Sequence, residues 1–260
     1  MDTLKSLKIK EWRLIMMKKR NVMILFSATV ALTLAACGSK EQSSSTSSTS
    51  GTTKYASEVT HDGTPIKGGT LKYAIVSSSP FSGIFADELS SDTNDSSIGG
   101  LIDESMFDYD ENRKLTNTGL ASIEFDVENK TATVTLNSKD YKWSDGQPVT
   151  IDDYIFAYQA IGNKDYTGVR YDDDYKNVVG MEEYHDGKAD SVSGLEKVDD
   201  YTVKIHFKEM SPSMQLAGGS VCAYIMPKHI FKDIPEAEWE KSEYVRGTKF
   251  VGLGQFKIES

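Results

Sequence analysis

The sequence after residue 53 predicts an α+β fold, on three observations. Two pairs of alternating apolar stretches read as β-hairpins, a capping pair opens an amphipathic helix between them, and no regular strand–helix–strand alternation runs through the chain. A doubly wound parallel sheet would need that alternation. No internal repeat is visible.

The elements follow in chain order. Gly68 and Gly69 open a strand that places Leu71, Tyr73 and Ile75 on one side. A loop rich in Ser, Phe and Asp is expected over 77–97. The helical spacing of Ile98, Leu101, Ile102 and Met106 then predicts a helix, broken by the polar run 110–113. Ile123, Phe125 and Val127 alternate, as do Ala132, Val134 and Leu136, with the polar turn 128–130 between them. The stretch Trp143-Ser-Asp-Gly-Gln-Pro148 is a turn. Thr150 and Asp153 form a capping-box-like pair at the start of a helix through Ile161, with Asp153 in place of the usual Glu.

A second hairpin covers 194–207 and turns at Asp199 and Asp200, with Val203, Ile205 and Phe207 facing one way. Pro212 starts a short helix, at the position where a missing N–H costs nothing. The run Val221-Cys-Ala-Tyr-Ile-Met226 reads as a buried strand, 235–242 as a short helix carrying Trp239, and 250–258 as a final strand.

The first fifty residues are of a different kind. Lys18, Lys19 and Arg20 precede a fifteen-residue apolar run from Val22 to Ala36. As a helix that run rises about 22 Å, against roughly 30 Å of bilayer hydrocarbon. It is short for a permanent span and suits a secretory signal core of about 7–15 residues. Leu34-Ala35-Ala36-Cys37 then offers small residues before a cysteine, a pattern similar to the lipobox at which a bacterial lipoprotein is cut and acylated. Cys37 is thus the expected lipidation site. Residues 1–16 are expected to be an upstream extension, 17–36 the signal, and 37–66 a tether. The Ser- and Thr-rich run after Cys37 has no apolar face to bury.

The whole chain has 29 basic and 39 acidic side chains. Without residues 1–36, which hold seven basic and two acidic ones, 22 face 37, a balance of −15. That excludes nucleic acid as a partner and electrostatic docking on anionic lipid, since both need clustered Lys and Arg. Membrane attachment then falls to the lipid on Cys37. The other cysteine, Cys222, has no partner for a disulfide if Cys37 is acylated, and its apolar surroundings predict packing rather than reactivity.

Neither catalysis nor metal binding has a pattern here. His61, His185, His206 and His229 lie far apart, without His-Glu-x-x-His or Cys-x-x-Cys, so neither zinc chemistry nor zinc import is expected. Asp172-Asp173-Asp174 lacks the alternating ligands, glycine and closing glutamate of a calcium loop and reads as a solvated acidic loop. No phosphate-binding loop and no nucleophile elbow occur. The expectation is a binding protein without cofactor, metal or catalytic residues.

Four stretches resemble the oligopeptide-binding lipoproteins of ABC importers, in the extracellular solute-binding family 5. They are Gly68-Gly-Thr-Leu-Lys-Tyr-Ala74, Trp143-Ser-Asp-Gly-Gln-Pro-Val-Thr150 with Asp152 and Asp153, Met226-Pro-Lys-His-Ile230, and Val251-Gly-Leu-Gly-Gln-Phe-Lys257. In the last, Leu253 and Gln255 replace the Thr and Pro usual in the family. The runs 163–171 and 178–185 are similar to the Gram-positive branch.

The resemblance implies a bilobal, periplasmic-binding-protein-like (type II) fold. Residues 67–104 would begin lobe I, 105–226 form an accessory domain, and 227–260 begin the return to lobe I. Family members are considerably longer, so the second lobe would be missing from these residues and the return incomplete, as in a fragment. The implied partners are an oligopeptide held by its backbone and the permease and ATPase subunits of the importer. The implied location is the outer face of the bacterial cell membrane.

The loop after the first strand would face the cleft, placing Phe85, Asp87, Glu88, Leu89, Asp92 and Asn94 near ligand. Tyr166 or Tyr171 would approach from the accessory domain. Read as residues alone, each of these is equally an ordinary loop residue or a packed aromatic, and Trp143 and Asp145 shape a turn. Other readings stay open: the same fold for a nickel chelate, a sugar or a signalling peptide, a surface adhesin or chaperone, a non-functional remnant, or, with no supporting motif, a secreted hydrolase.

Overall fold

The computed structural model describes residues 68–259 apart from 71, 73, 78 and 217–220. The predicted Cys37 site, signal and tether lie outside the described residues. Two compact units divide between Thr70 and Leu71, and the second, Leu71–Ser260, carries the elements that follow.

The two predicted hairpins join into one antiparallel sheet. A two-stranded ribbon, β1 (Asp108–Tyr109) and β2 (Leu115–Thr116), comes first, followed by β3 (Ala121–Asp126) and β4 (Thr131–Leu136). With β5 (Leu195–Lys197) and β6 (Thr202–His206) these give the order β3-β4-β6-β5. The register aligns Ile123 with Val134 and Val134 with Val203, and Ala132 with Ile205. Because side chains alternate across a strand, that register gathers the apolar set on one buried face and leaves Thr133, Thr135 and Lys204 on the other.

A helix, Ile151–Gly162, lies against β5 and β6 and shares their core through Ile151, Tyr154, Ala157, Tyr158 and Ile161. Its capping pair is present as expected: Asp153 Oδ2 accepts from the Thr150 amide at 2.9 Å, satisfying a donor the helix leaves free. Short elements complete the unit: helices at Asp173–Lys176, Met181–His185, Lys228–Phe231 and Glu243–Arg246, and 3₁₀ turns at Pro212–Gln215 and Glu236–Lys241. The acidic triplet expected as a loop starts the first of these, with Asp172 Oδ1 capping the amides of Asp174 and Tyr175.

Several further expectations are corrected. The helix placed after residue 97 begins earlier, at Thr93–Ile102, because Asp92 Oδ1 accepts from the amides of Asn94 and Asp95 at 2.8 and 3.3 Å. Ile102 is buried, Leu101 is 52% exposed, and Met106 enters the core from beyond the helix. Residues 110–113 do not break that helix. They turn the ribbon between β1 and β2, where Asp110 Oδ1 accepts from the amides of Asn112 and Lys114 and Arg113 takes φ 62°.

In the segment 221–226 only Cys222, Ile225 and Met226 are buried, and it pairs with no strand. Side chains serve the Cys222 backbone: the Tyr154 hydroxyl donates to the Cys222 carbonyl at 2.8 Å, and the Cys222 amide donates to the Tyr158 hydroxyl at 2.9 Å, while the Ala223 carbonyl accepts from the Met106 amide at 2.9 Å. Those tyrosines stand one helical turn apart, so a single helix face reads out two successive polar groups. Burial pushes the Cys222 thiol up to about 12, which suits its packing role.

The last expected strand, 250–258, also lacks a ladder. It runs beside the end of the Thr93–Ile102 helix, bonding Gly254 N to Ile102 O at 3.0 Å and Phe256 N to Leu101 O at 3.2 Å. A Cβ on Gly252 would come within 2.2 Å of the Ile102 carbonyl oxygen, so that approach needs glycine. Of the first expected strand, Leu71 and Tyr73 lie outside the described residues, and Ile75 is exposed and in no strand.

Candidate functional site: an acidic cavity behind a braced loop

The loop that carries most of the predicted ligand residues is braced from several directions. Its Phe85 amide donates to the Val245 carbonyl at 3.0 Å, and Leu89 and Ser90 turn back onto the Ala86 carbonyl. Tyr166 donates its hydroxyl to the Glu88 carbonyl. Arg170 Nη2 donates to the carbonyls of Asp87 and Ser90, each at 3.0 Å, while its guanidinium lies over the Tyr224 ring at 5.3 Å. Just before the loop, the buried Asp95 accepts from the amides of Ser82 and Gly83 and from the Ser82 hydroxyl, tying that stretch to the helix.

The predicted residues therefore separate by role. Asp92 caps the helix, Leu89 is buried in the core, and Asn94 is buried with its amide donating to Ser79 Oγ at 3.3 Å. Phe85 is half-buried. Tyr166 braces the loop through the Glu88 carbonyl, whereas Tyr171 stacks on His185 at 4.0 Å. Asp87 and Glu88 line a cavity of about 390 Å³. Its other walls include Asp103 and Glu104 and the segment Ala223, Tyr224 and Ile225.

Sequence reasoning missed Asp95, Asp103, Glu104, Arg170 and Tyr224. Only Arg170 carried a local signal, lying four residues after Tyr166 in the family-like run 163–171.

Burial governs the cavity's electrostatics. The Glu88 carboxyl, 5% exposed, is pushed up to about 8 by burial and then by the nearby Asp103 charge. Burial also raises Asp103, to about 7, although the amides of Leu253 and Glu104 bond its Oδ1 at 3.1 and 3.0 Å. Asp87 is raised by burial too, against the pull of Ser96 and Arg170, and its Oδ1 is buried without a hydrogen bond. Among the described residues, no group of three or more His, Cys, Asp or Glu is arranged to hold a metal ion.

A second motif proves architectural. Asp145 Oδ2 pairs with His229 Nε2 at 2.8 Å, and Asp153 joins Thr150, Lys228 and the Trp143 indole. Trp143 and Asp145 shape a turn and its anchorage, as expected.

A mixed α/β architecture of this kind is that of the type II periplasmic-binding-protein-like fold, seen here in part. It superposes on lactococcal OppA complexed with an endogenous peptide in the closed conformation with a TM-score of 0.66 and 36% identity, covering 71% of this chain and 35% of that one. AppA from Bacillus subtilis in complex with a nonapeptide gives 0.55 and 27%, covering 68% and 32%.

Residues 117–260 match the bacterial extracellular solute-binding proteins, family 5 (middle region), and the chain belongs to that family. The oligopeptide-binding protein OppA of Lactococcus lactis subsp. lactis is 35% identical over 252 residues, which is 94% of this chain and 42% of the relative. Oligopeptide-binding protein AppA of Bacillus subtilis strain 168 is 25% identical over 246 residues, 94% of this chain and 39% of the relative. The chain thus spans well under half the length of these relatives.

Proposed function

We propose that this chain is part of a lipid-anchored, substrate-binding component of an ABC importer that captures oligopeptides at the outer face of the bacterial cell membrane. The observation that carries the reading is its likeness to OppA and AppA, both solved with peptide bound, together with a cavity-lining loop braced by Tyr166 and Arg170. A rigid loop is what backbone capture requires. Edge hydrogen bonds give affinity without reading side chains, and roomy pockets tolerate sequence variety. On this reading 67–104 opens lobe I, 105–226 is the accessory domain, 227–260 begins the return to lobe I, and Phe85, Asp87 and Glu88 approach ligand. The protein binds and does not catalyse.

A bilobal binder encloses its ligand, whereas one lobe offers an open face on which each hydrogen bond nets only about 0.5–1.5 kcal/mol. Association entropy of several kcal/mol opposes that gain. Calorimetry on residues 54–260 with a mixed library of four- to eight-residue peptides should therefore show saturable binding weaker than micromolar. Micromolar or tighter binding would make this portion a self-sufficient receptor, and a complete absence of saturable peptide binding would remove oligopeptide capture.

The anchor is tested separately. Cys37→Ala should shift the protein from the membrane fraction to the medium or leave it unprocessed. Normal cleavage with unchanged membrane retention would exclude acylation at Cys37.

A further inference from the structure

We infer that Arg170 is a positioning residue for ligand capture, which sets the 87–90 loop in its binding shape and acts on the ligand through that loop. This deepens the peptide-capture reading and rests on it, because the shape of the loop matters to binding only if ligand meets it.

Three carbonyls of the loop turn towards two residues far off in sequence. Arg170 Nη2 donates to the carbonyls of Asp87 and Ser90, each at 3.0 Å. The Tyr166 hydroxyl donates to the Glu88 carbonyl and accepts from the Arg170 amide at 3.3 Å. That amide occupies the acceptor side of the hydroxyl and so aims its single proton at the loop.

The rest of the loop's bonding does not fix its place. Its entry is tied at Phe85 to the Val245 carbonyl, and its exit leads to Asp92, which caps the helix. The amides of Leu89 and Ser90 both go to the Ala86 carbonyl, which shapes the turn from within. Between those ends, the donors that reach the loop backbone from elsewhere among the described residues are those of Arg170 and Tyr166.

The chemistry calls for arginine. One Nη carries two N–H groups in a fixed plane and can serve two carbonyls at once, and its charge strengthens both bonds. The Tyr224 ring backs the guanidinium at 5.3 Å. A lysine ammonium is a point charge on a flexible stem and has no such fork. Arg170 Nε is buried without a hydrogen bond, and bare buried donors are uncommon in folded proteins. The chain accepts that cost where the guanidinium tip meets the loop, which points to loop placement rather than local packing.

The test uses the purified chain and Nα-acetyl-tetra-alaninamide, an uncharged peptide, so that charge attraction to the probe plays no part. Affinity is followed by NMR titration and the loop by hydrogen exchange of amides 85–90, with urea unfolding as the check on the fold. Arg170→Met should weaken binding at least about tenfold, the scale of one charge-assisted hydrogen bond, and speed exchange across the loop. Arg170→Lys should recover only part of the affinity. Tyr166→Phe, which removes one hydroxyl, should weaken binding by about two- to tenfold.

A tie that serves stability alone would leave the affinity of a folded variant unchanged. Parent-like affinity in folded Arg170→Met would therefore overturn the inference. Where that variant does not fold, parent-like affinity in both Arg170→Lys and Tyr166→Phe would do the same. A loss of affinity with loop exchange unchanged would also overturn it, by making Arg170 a ligand contact. If the parent chain shows no saturable binding of the peptide, peptide capture falls and the positioning role with it. If the parent binds and folded Arg170→Met binds equally well, peptide capture stands and the positioning role alone is wrong.

Discussion

Asp153→Ala should lower the stability of the chain by about 3–4 kcal/mol, measured as the change in urea unfolding free energy followed by circular dichroism. The carboxylate is buried and accepts three hydrogen bonds from different parts of the chain. Thr150 N lies at 2.9 Å, Lys228 N at 3.0 Å and Trp143 Nε1 at 3.4 Å. A hydrogen bond to a charged group contributes about 1.5–3 kcal/mol, and a buried donor left bare costs about 1–3 kcal/mol.

Thr150 and Lys228 are only partly buried, so water can replace some of what is lost there. The long indole bond is the weakest of the three. Those two corrections hold the total below the sum of three full bonds. A loss under about 1 kcal/mol would show that the donors find other partners and that this junction is not what joins the turn, the helix and the 228–231 segment.

The same junction explains how much was legible in the sequence. The hairpins could be read because alternation is local and a one-residue slip would turn Val134 and Val203 out of the core. The long helix could be read because Thr150 and Asp153 are three residues apart. The motifs that carried the family resemblance turned out to brace one another: Asp145 holds His229, and Asp153 holds Lys228. They mark the fold and leave the ligand open.

What could not be read depended on partners far away in sequence. Residues 221–226 have strand-like composition, yet the Cys222 backbone is satisfied by tyrosine hydroxyls some sixty residues earlier and the Ala223 carbonyl by the Met106 amide. The Thr93–Ile102 helix contains Gly99 and Gly100 and has weak intrinsic propensity. It forms where Asp92 caps it, and it accepts Gly99 because a Cβ there would lie 2.9 Å from Asp87 Oδ1. The cavity draws on the 87–88 loop, the 100–105 stretch and the 223–225 segment, so no local pattern could have announced it. The sequence marks Glu88 as a loop residue facing ligand, but its burial depends on walls distant in the chain.

That burial leads to the second large expected effect: Glu88→Gln should stabilise the chain at pH 8 and do nothing at pH 4. The Glu88 carboxyl is raised from 4.5 to about 8, with burial the largest cause. Between those values the unfolded chain has released the proton that the folded chain keeps. The folded state therefore binds more protons, and stability falls as pH rises through this window.

Below about 4.5 both states are protonated and the penalty is absent; above about 8 it is fully present. Glutamine keeps the shape and cannot ionise, so the variant escapes the penalty. Each tenfold difference in proton affinity between the folded and unfolded chain is worth about 1.4 kcal/mol. Water entering the cavity when Glu88 ionises reduces the full figure, which leaves an expected gain of about 2–4 kcal/mol at pH 8. Arg170 does not reverse the sign, because its hydrogen bonds go to the carbonyls of Asp87 and Ser90 rather than to the Glu88 carboxyl. Urea unfolding of both proteins at pH 4, 6 and 8 is the measurement, with the difference between them growing at each step. A difference independent of pH, or a variant less stable than the parent at pH 8, would mean that Glu88 ionises without penalty in the folded chain.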